Sequence, residues 1–243
     1  MKMEAMKKIL LQALAWIAKN FGKDILVAVK SHLQKIFQKT FSGKNIVILG
    51  PKESGKTALL KLMTDGRPFD IASTGERQAP DSTLMTAIVD KAFECQEGNW
   101  LKLRKDVPGD KKFRSLWKQA ISELKPEGII YILDGRRKDA ELREDIAEAC
   151  EYVFDSCYNG NSADLRGFHL FINFSDVWAT SGGVERKKLN FVSAVLDEEL
   201  EKRDGFHDLR VGASSTQLSI HAKNWNDATR ALHKFGAELL EAA

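Results

Sequence analysis

"NIVILGPKESGKT", residues 45–57, decides the fold. The first six residues are an apolar run with β-branched side chains, the pattern of a short buried strand. The next eight, "GPKESGKT" (50–57), fit G-x-x-x-x-G-K-[ST] and open a stretch of helical periodicity. A loop in that position turns its amides and the helix N-terminus toward one point, which makes a cradle for phosphate. Gly50 and Gly55 permit the tight curl. Glu53, Ser54 and Ala58 contribute backbone to it, Lys56 reaches the outer phosphates, and Thr57 offers a hydroxyl to a divalent cation. Pro51 has no N–H to give, but it stands at the start of the loop, away from the amides nearest Lys56. Lys52 reads as a solvent-facing cation at the rim.

Outward from this loop the chain alternates strand and helix. A helix is expected from about Lys56 to Asp65, then a polar loop over 66–82. The segments 83–94 and 100–107 flank "CQEGN" and predict a β-hairpin. A helix over 111–124, a strand at "GIIYILD" (128–134), a helix over 138–158 and a strand at "FHLFINF" (168–174) follow. A helix over 185–203, a strand at "DLRVGAS" (208–214) and a helix over 224–241 close the chain. Six strands and five helices in this order predict a doubly wound, mostly parallel α/β sheet.

Three further stretches sit at strand ends, where such a sheet places its ligands. "DVPGD" (106–110) supplies Asp106, suited to hold a cation through water, and Gly109, whose amide could meet a terminal phosphate. "INFSD" (172–176) delivers Asn173, Phe174 and Asp176. "GASS" (212–215) delivers Ala213, Ser214 and Ser215. A carboxylate such as Asp176 can accept from the N1–H and exocyclic N2–H₂ of guanine together, whereas adenine offers no such pair of donors. The plainer reading of "INFSD" is a strand end with a helix cap.

The ordered set resembles a small GTPase, most closely the Arf-like branch. "DVPGDKKFRSLWK" (106–118) is similar to that branch's second switch segment, in which D-V-G-G-Q leads into Arg and Trp at similar offsets. The resemblance covers residues 43–243 and implies a six-stranded P-loop GTPase sheet. Residues 1–42 stand apart as a helical extension. It implies GTP/GDP and Mg2+ as ligands. Thr57 and Asp106 would serve the metal, together with a first-switch threonine that Thr83 fits and for which Thr74 competes. Lys56, Gly109 and residue 110 would form the catalytic set, and Asn173, Asp176, Ala213, Ser214 and Ser215 would read the base. Loops at about 67–83 and 107–115 would sense the γ-phosphate. A protein effector or regulator is implied as partner, and no nucleic acid is.

Two positions depart from the family pattern. Where the resemblance expects a water-orienting Gln, the chain has Asp110. An ionised Asp only accepts hydrogen bonds and adds negative charge beside a triphosphate, so slow intrinsic hydrolysis is expected. Where a Lys should follow Asn173, the chain has Phe174. Phe can cover a base as a flat apolar surface, but it cannot tie the base loop to the phosphate loop. Two functions stay open: a GTP/GDP switch with slow or partner-dependent hydrolysis, and a non-hydrolysing module that holds nucleotide statically. Arg77 is a weak candidate for a charge-stabilising arginine, and Arg136 and Arg137 read as surface or partner contacts.

Composition agrees with a folded, non-secreted class. The chain has 243 residues, 43% hydrophobic and 29% charged, enough for one sizeable core. The net charge of +3 is uneven: residues 1–44 carry nine Lys against Glu4 and Asp24, or +7, which leaves −4 for the rest. Two amphipathic stripes run through residues 3–41, around Gly22. Their apolar faces need cover, and a membrane surface, a helical partner or the G domain itself could supply it. Cys95, Cys150 and Cys157 have no metal spacing and read as reduced packing thiols. No apolar run reaches the ~18 residues of a membrane span. A cytoplasmic location, peripheral to a membrane through residues 1–42, is the expectation.

Overall fold

The computed structural model describes residues 43–65, 87–96, 99–109, 111–158, 165–203, 206, 209–218 and 226–241. The helical extension expected over residues 1–42 lies outside them. Six strands form one sheet: β1 (Lys44–Leu49), β2 (Ala87–Gln96), β3 (Asn99–Asp106), β4 (Gly128–Asp134), β5 (Gly167–Asn173) and β6 (Arg210–Ser215). Their spatial order is β2-β3-β1-β4-β5-β6. β2 pairs antiparallel with β3, and every other pairing is parallel.

The helices are α1 (Lys56–Asp65), α2 (Arg114–Leu124), α3 (Asp139–Cys150), the short α4 (Ser175–Trp178), α5 (Gly182–Glu201) and α6 (Asn226–Glu241). A single 3-10 turn, Lys111–Phe113, leads into α2. α2 stops where Lys125 takes a left-handed φ of 42° and its N–H returns to the Ile121 carbonyl, immediately before Pro126. The helix expected over 138–158 is α-helical only to Cys150 and continues as a π-helical turn over Glu151–Cys157. That wider turn carries Phe154, whose ring meets Phe168 at 5.2 Å and Phe206 at 4.6 Å.

Strand alternation sorts the core into two layers, as a sheet buried on both faces requires. Val47, Leu49, Ile129, Tyr131, Leu133, Leu170 and Ile172 face one side, against Trp117, Ile121, Ile146 and Val195. Ile46, Ile48, Ile130, Ile132 and Phe171 face the other, against Leu59, Met63, Phe235 and Leu239. From β1 the chain runs through α1 to the edge strand β2 and back in β3 on one side of β1, and then crosses through α2 to β4 on the other. The carboxyl ends of β1, β3, β4 and β5 therefore open one crevice at the switch in strand order.

Candidate functional site

The loop leaving β1 curls back on itself. Ser54 N–H donates to the Pro51 carbonyl at 3.4 Å, and Leu59 N–H to Gly55 at 3.0 Å. Glu53 holds a left-handed φ of 63° and Gly55 a φ of +110°, a region that a side chain at residue 55 would strain against. Lys56 is 8% exposed, and its Nζ donates to the carbonyls of Gly50 (3.0 Å) and Pro51 (2.6 Å), across the mouth of the loop. Thr57 follows in the first turn of α1.

β3 brings the second motif alongside. Its parallel pairing with β1 sets the end of the hairpin next to the loop. Gly109 lies so close that a Cβ there would stand 2.6 Å from the Gly50 carbonyl oxygen and would also strike Lys56 Nζ. The segment between is pinned from below: the Trp117 indole N–H donates to the Pro108 carbonyl at 2.7 Å from a buried position. The Asp106 side chain, Asp110, Thr83, Thr74 and Arg77 lie outside the described residues.

β5 brings the third motif. Asn173 is fully buried. Its Nδ2 donates to the Ser54 carbonyl at 2.8 Å, and its Oδ1 accepts from Leu218 N–H at 2.8 Å. One amide thus fastens the phosphate loop to the segment after β6. Its backbone carbonyl accepts from Gly135 N–H at 3.1 Å and from the Trp178 indole at 2.8 Å. Phe174 takes a left-handed φ of 62°, which breaks the strand and starts α4, with Asp176 exposed in its first turn.

"GASS" lies at the end of β6, one residue further into the strand than the expected limit at Ser214. Ala213, Ser214 and Ser215 are the last three residues of β6, paired with Leu170, Phe171 and Ile172. Ser214 Oγ bonds the buried His169 ring at 2.9 Å, and Ser215 Oγ donates to Glu185. The residues that reach the Asn173 corner are Thr216, whose carbonyl accepts from Ser175 N–H at 3.1 Å, and Leu218. The pairing with β5 carries one or two residues beyond what the apolar pattern shows, because Thr216 N–H still bonds the Ile172 carbonyl.

Arg136 and Arg137, expected as surface or partner contacts, both form ion pairs within the chain. Arg137 pairs with Asp145 and, at 3.7 Å, with Glu141 of α3. The Arg136 guanidinium lies over the Phe174 ring and holds Asp134 in a forked pair. Burial alone would raise the Asp134 carboxyl, but the Arg136 hydrogen bonds hold it below its ordinary value.

Among the described residues no three His, Cys, Asp or Glu gather as a metal centre. The crevice instead offers a curled loop with glycines at its crowded points, a buried Lys at its mouth and the Ser54 hydroxyl buried with no partner. These features suit a polyanion that brings its own cation.

The fold, with its motifs converging in this order, is the one that small GTPases share. Residues 42–160 match the family model described as the signal recognition particle receptor beta subunit. A chain of the mammalian SRP receptor superposes with a TM-score of 0.55 at 15% identity, covering 79% of this chain and 100% of that one. A chain of the signal recognition particle receptor SRb-GTP/SRX complex from Chaetomium thermophilum gives 0.52 at 16%, covering 80% and 97%. No curated protein sequence matches the chain.

Proposed function

We propose that the chain is a GTP/GDP-binding switch of the SRP-receptor-beta type. The carrying observation is the convergence of three motifs from β1, β3 and β5, joined by Asn173 to Ser54 and by the packing of Gly109 on Gly50 and Lys56. The phosphates belong at the amides of the loop and the N-terminus of α1, with Lys56 turning from its loop carbonyls to their charge. Mg2+ would be held by Thr57, by Asp106 through water and by Thr83 or Thr74, and would neutralise charge on the phosphate oxygens. Asp176 would accept from the guanine N1–H and N2–H₂. Asn173, with both ends of its amide engaged, would orient the base loop rather than read the base. Backbone for the O6 edge would come from 213–215 or the adjoining 216–218.

Hydrolysis is in-line attack by water, driven by positioning and electrostatics. The Gly109 amide would sense the terminal phosphate, and Asp110 makes the intrinsic step slow. A partner of the SRX kind, as in the fungal complex, would meet the loops at about 67–83 and 107–115. Residues 1–42, basic and amphipathic, would hold the protein at a membrane surface. Among the described residues no helix is long and apolar enough to cross a membrane. Asp110 and Phe174 favour a second reading, in which the nucleotide is a static ligand. HPLC of nucleotide released from purified protein, with GTP, GDP and ATP titrations, tests the proposal. Equal affinity for ATP and GTP would overturn the base assignment. GTP and GDP forms of identical protease sensitivity would favour the static module.

A further inference from the structure

The turn between β4 and α3 carries a side chain with no part in the function proposed so far. Asp134, the last residue of β4, lies opposite Asn173, the last residue of β5. Two residues on, the Arg136 guanidinium carbon stands 3.8 Å from the centroid of the Phe174 ring. Arg136 Nε and Nη2 donate to Oδ1 and Oδ2 of Asp134 at 2.9 and 2.7 Å, and its backbone N–H donates to Oδ1 at 3.0 Å. Though nearly half its side chain is exposed, this arginine is held by a fork on a carboxylate and by a ring beneath it.

The turn that bears it is itself fastened to the base loop. Gly135 N–H bonds the Asn173 carbonyl, and a Cβ on Gly135 would stand 2.7 Å from that oxygen. Lys188 of α5 donates to the carbonyls of Gly135 (2.5 Å) and Arg137 (3.2 Å), with its Nζ 5.2 Å from the Trp178 ring. Glu53 of the phosphate loop and Asp176 of the base loop both lie within the field of the Arg136 cation and, after Asp134, help to hold its charge. The guanidinium is thus paired with Asp134 and stacked on Phe174, between the phosphate loop and the base loop.

We propose that Arg136 is a positioning residue of the nucleotide site, supplying from the neighbouring turn the cation that the family pattern places at position 174, while Phe174 supplies the flat surface. Arg136 and Phe174, two residues before Asp176, form one stacked block held by the fork on Asp134. The lost lysine is thus divided between two residues rather than absent. The inference rests on the guanine-nucleotide reading above.

The test is release of a fluorescent GDP analogue from full-length protein, with urea unfolding of each variant measured in parallel. Arg136→Ala should release nucleotide about fivefold faster or more, from the lost cation–π and charge contacts. Arg136→Lys keeps the charge without the planar fork and should fall between Ala and wild type. Phe174→Lys placed in the Arg136→Ala background should return release to within about twofold of wild type, because it restores the missing cation at its family position. Release unchanged in Arg136→Ala would overturn the inference. So would a faster release that Phe174→Lys leaves uncorrected, since a merely structural arginine would not be replaced by a lysine elsewhere. Wild-type protein that binds no guanine nucleotide would instead remove the reading beneath it.

Discussion

Asn173→Ala tests the corner on which the site depends. The side chain is fully buried and both its polar ends are engaged, with Ser54 and Leu218, at 2.8 Å each. Truncation leaves the Leu218 N–H and the Ser54 carbonyl without these partners. A buried group stripped of its partner costs about 1–3 kcal/mol. The N–H takes the larger share because it has one bond to make, whereas a carbonyl retains a second lone pair. The expected loss is about 2–4 kcal/mol, reduced where a water enters the space left by the amide. In urea, with a slope of ~2 kcal/mol/M, the midpoint should fall by roughly 1–2 M at unchanged slope. Asn173→Asp is the sharper variant. It keeps an acceptor for Leu218 but turns a carboxylate oxygen toward the Ser54 carbonyl, so it should be no more stable than the alanine form at neutral pH and should recover as the carboxylate is protonated. Asp176→Ala, exposed in the same loop, should move the stability by less than about 0.5 kcal/mol. A loss below about 0.5 kcal/mol in Asn173→Ala, or an Asn173→Asp variant as stable as wild type at neutral pH, would refute the fastening argument.

Three further outcomes are expected. Gly55→Ala must hold a Cβ at φ +110° with the Asn173 amide against it, so it should lower the thermal midpoint by the equivalent of about 2 kcal/mol or more and weaken nucleotide retention. His169 is buried among Phe171, Phe235 and Ser214, and burial pushes its pKa below the ordinary value despite Glu238, 3.5 Å from Nδ1. The native ring is thus neutral while the unfolded chain takes up a proton near pH ~6.5, so stability is full above that pH and falls below it, by up to about 1.4 kcal/mol per pH unit; in His169→Gln, urea midpoints between about pH 7.5 and 5.5 should lose that part of the slope. Burial pushes the Cys150 thiol up to about 12 and the Cys157 thiol to about 11, and Cys95 is buried, so native protein at about pH 8 should show no fast-reacting thiol among the three with an aromatic disulfide reagent, and all three after denaturation.

What the sequence determined by itself was the set of strongly patterned local features. "NIVILGPKESGKT" contains a strand, a loop and a helix start that need no distant partner to be recognised, and "GIIYILD" became β4 over the same seven residues, Gly128–Asp134. The order of the motifs, together with that alternation, was enough for the small-GTPase fold. Only the tertiary structure decided how the motifs are joined. Asn173 reads as a ligand to a base or as part of a plain strand end, and only its bonds to residues 119 and 45 positions away show which groups it holds. The limit of β6 followed from its pairing with β5, which carries the strand past the expected end at Ser214 to Ser215. Arg136 is the clearest case. Side-chain type and spacing mark it only as a charge in a turn, because a stack on Phe174 arises from the parallel pairing of β4 with β5, and register between strands is written in no local run of residues.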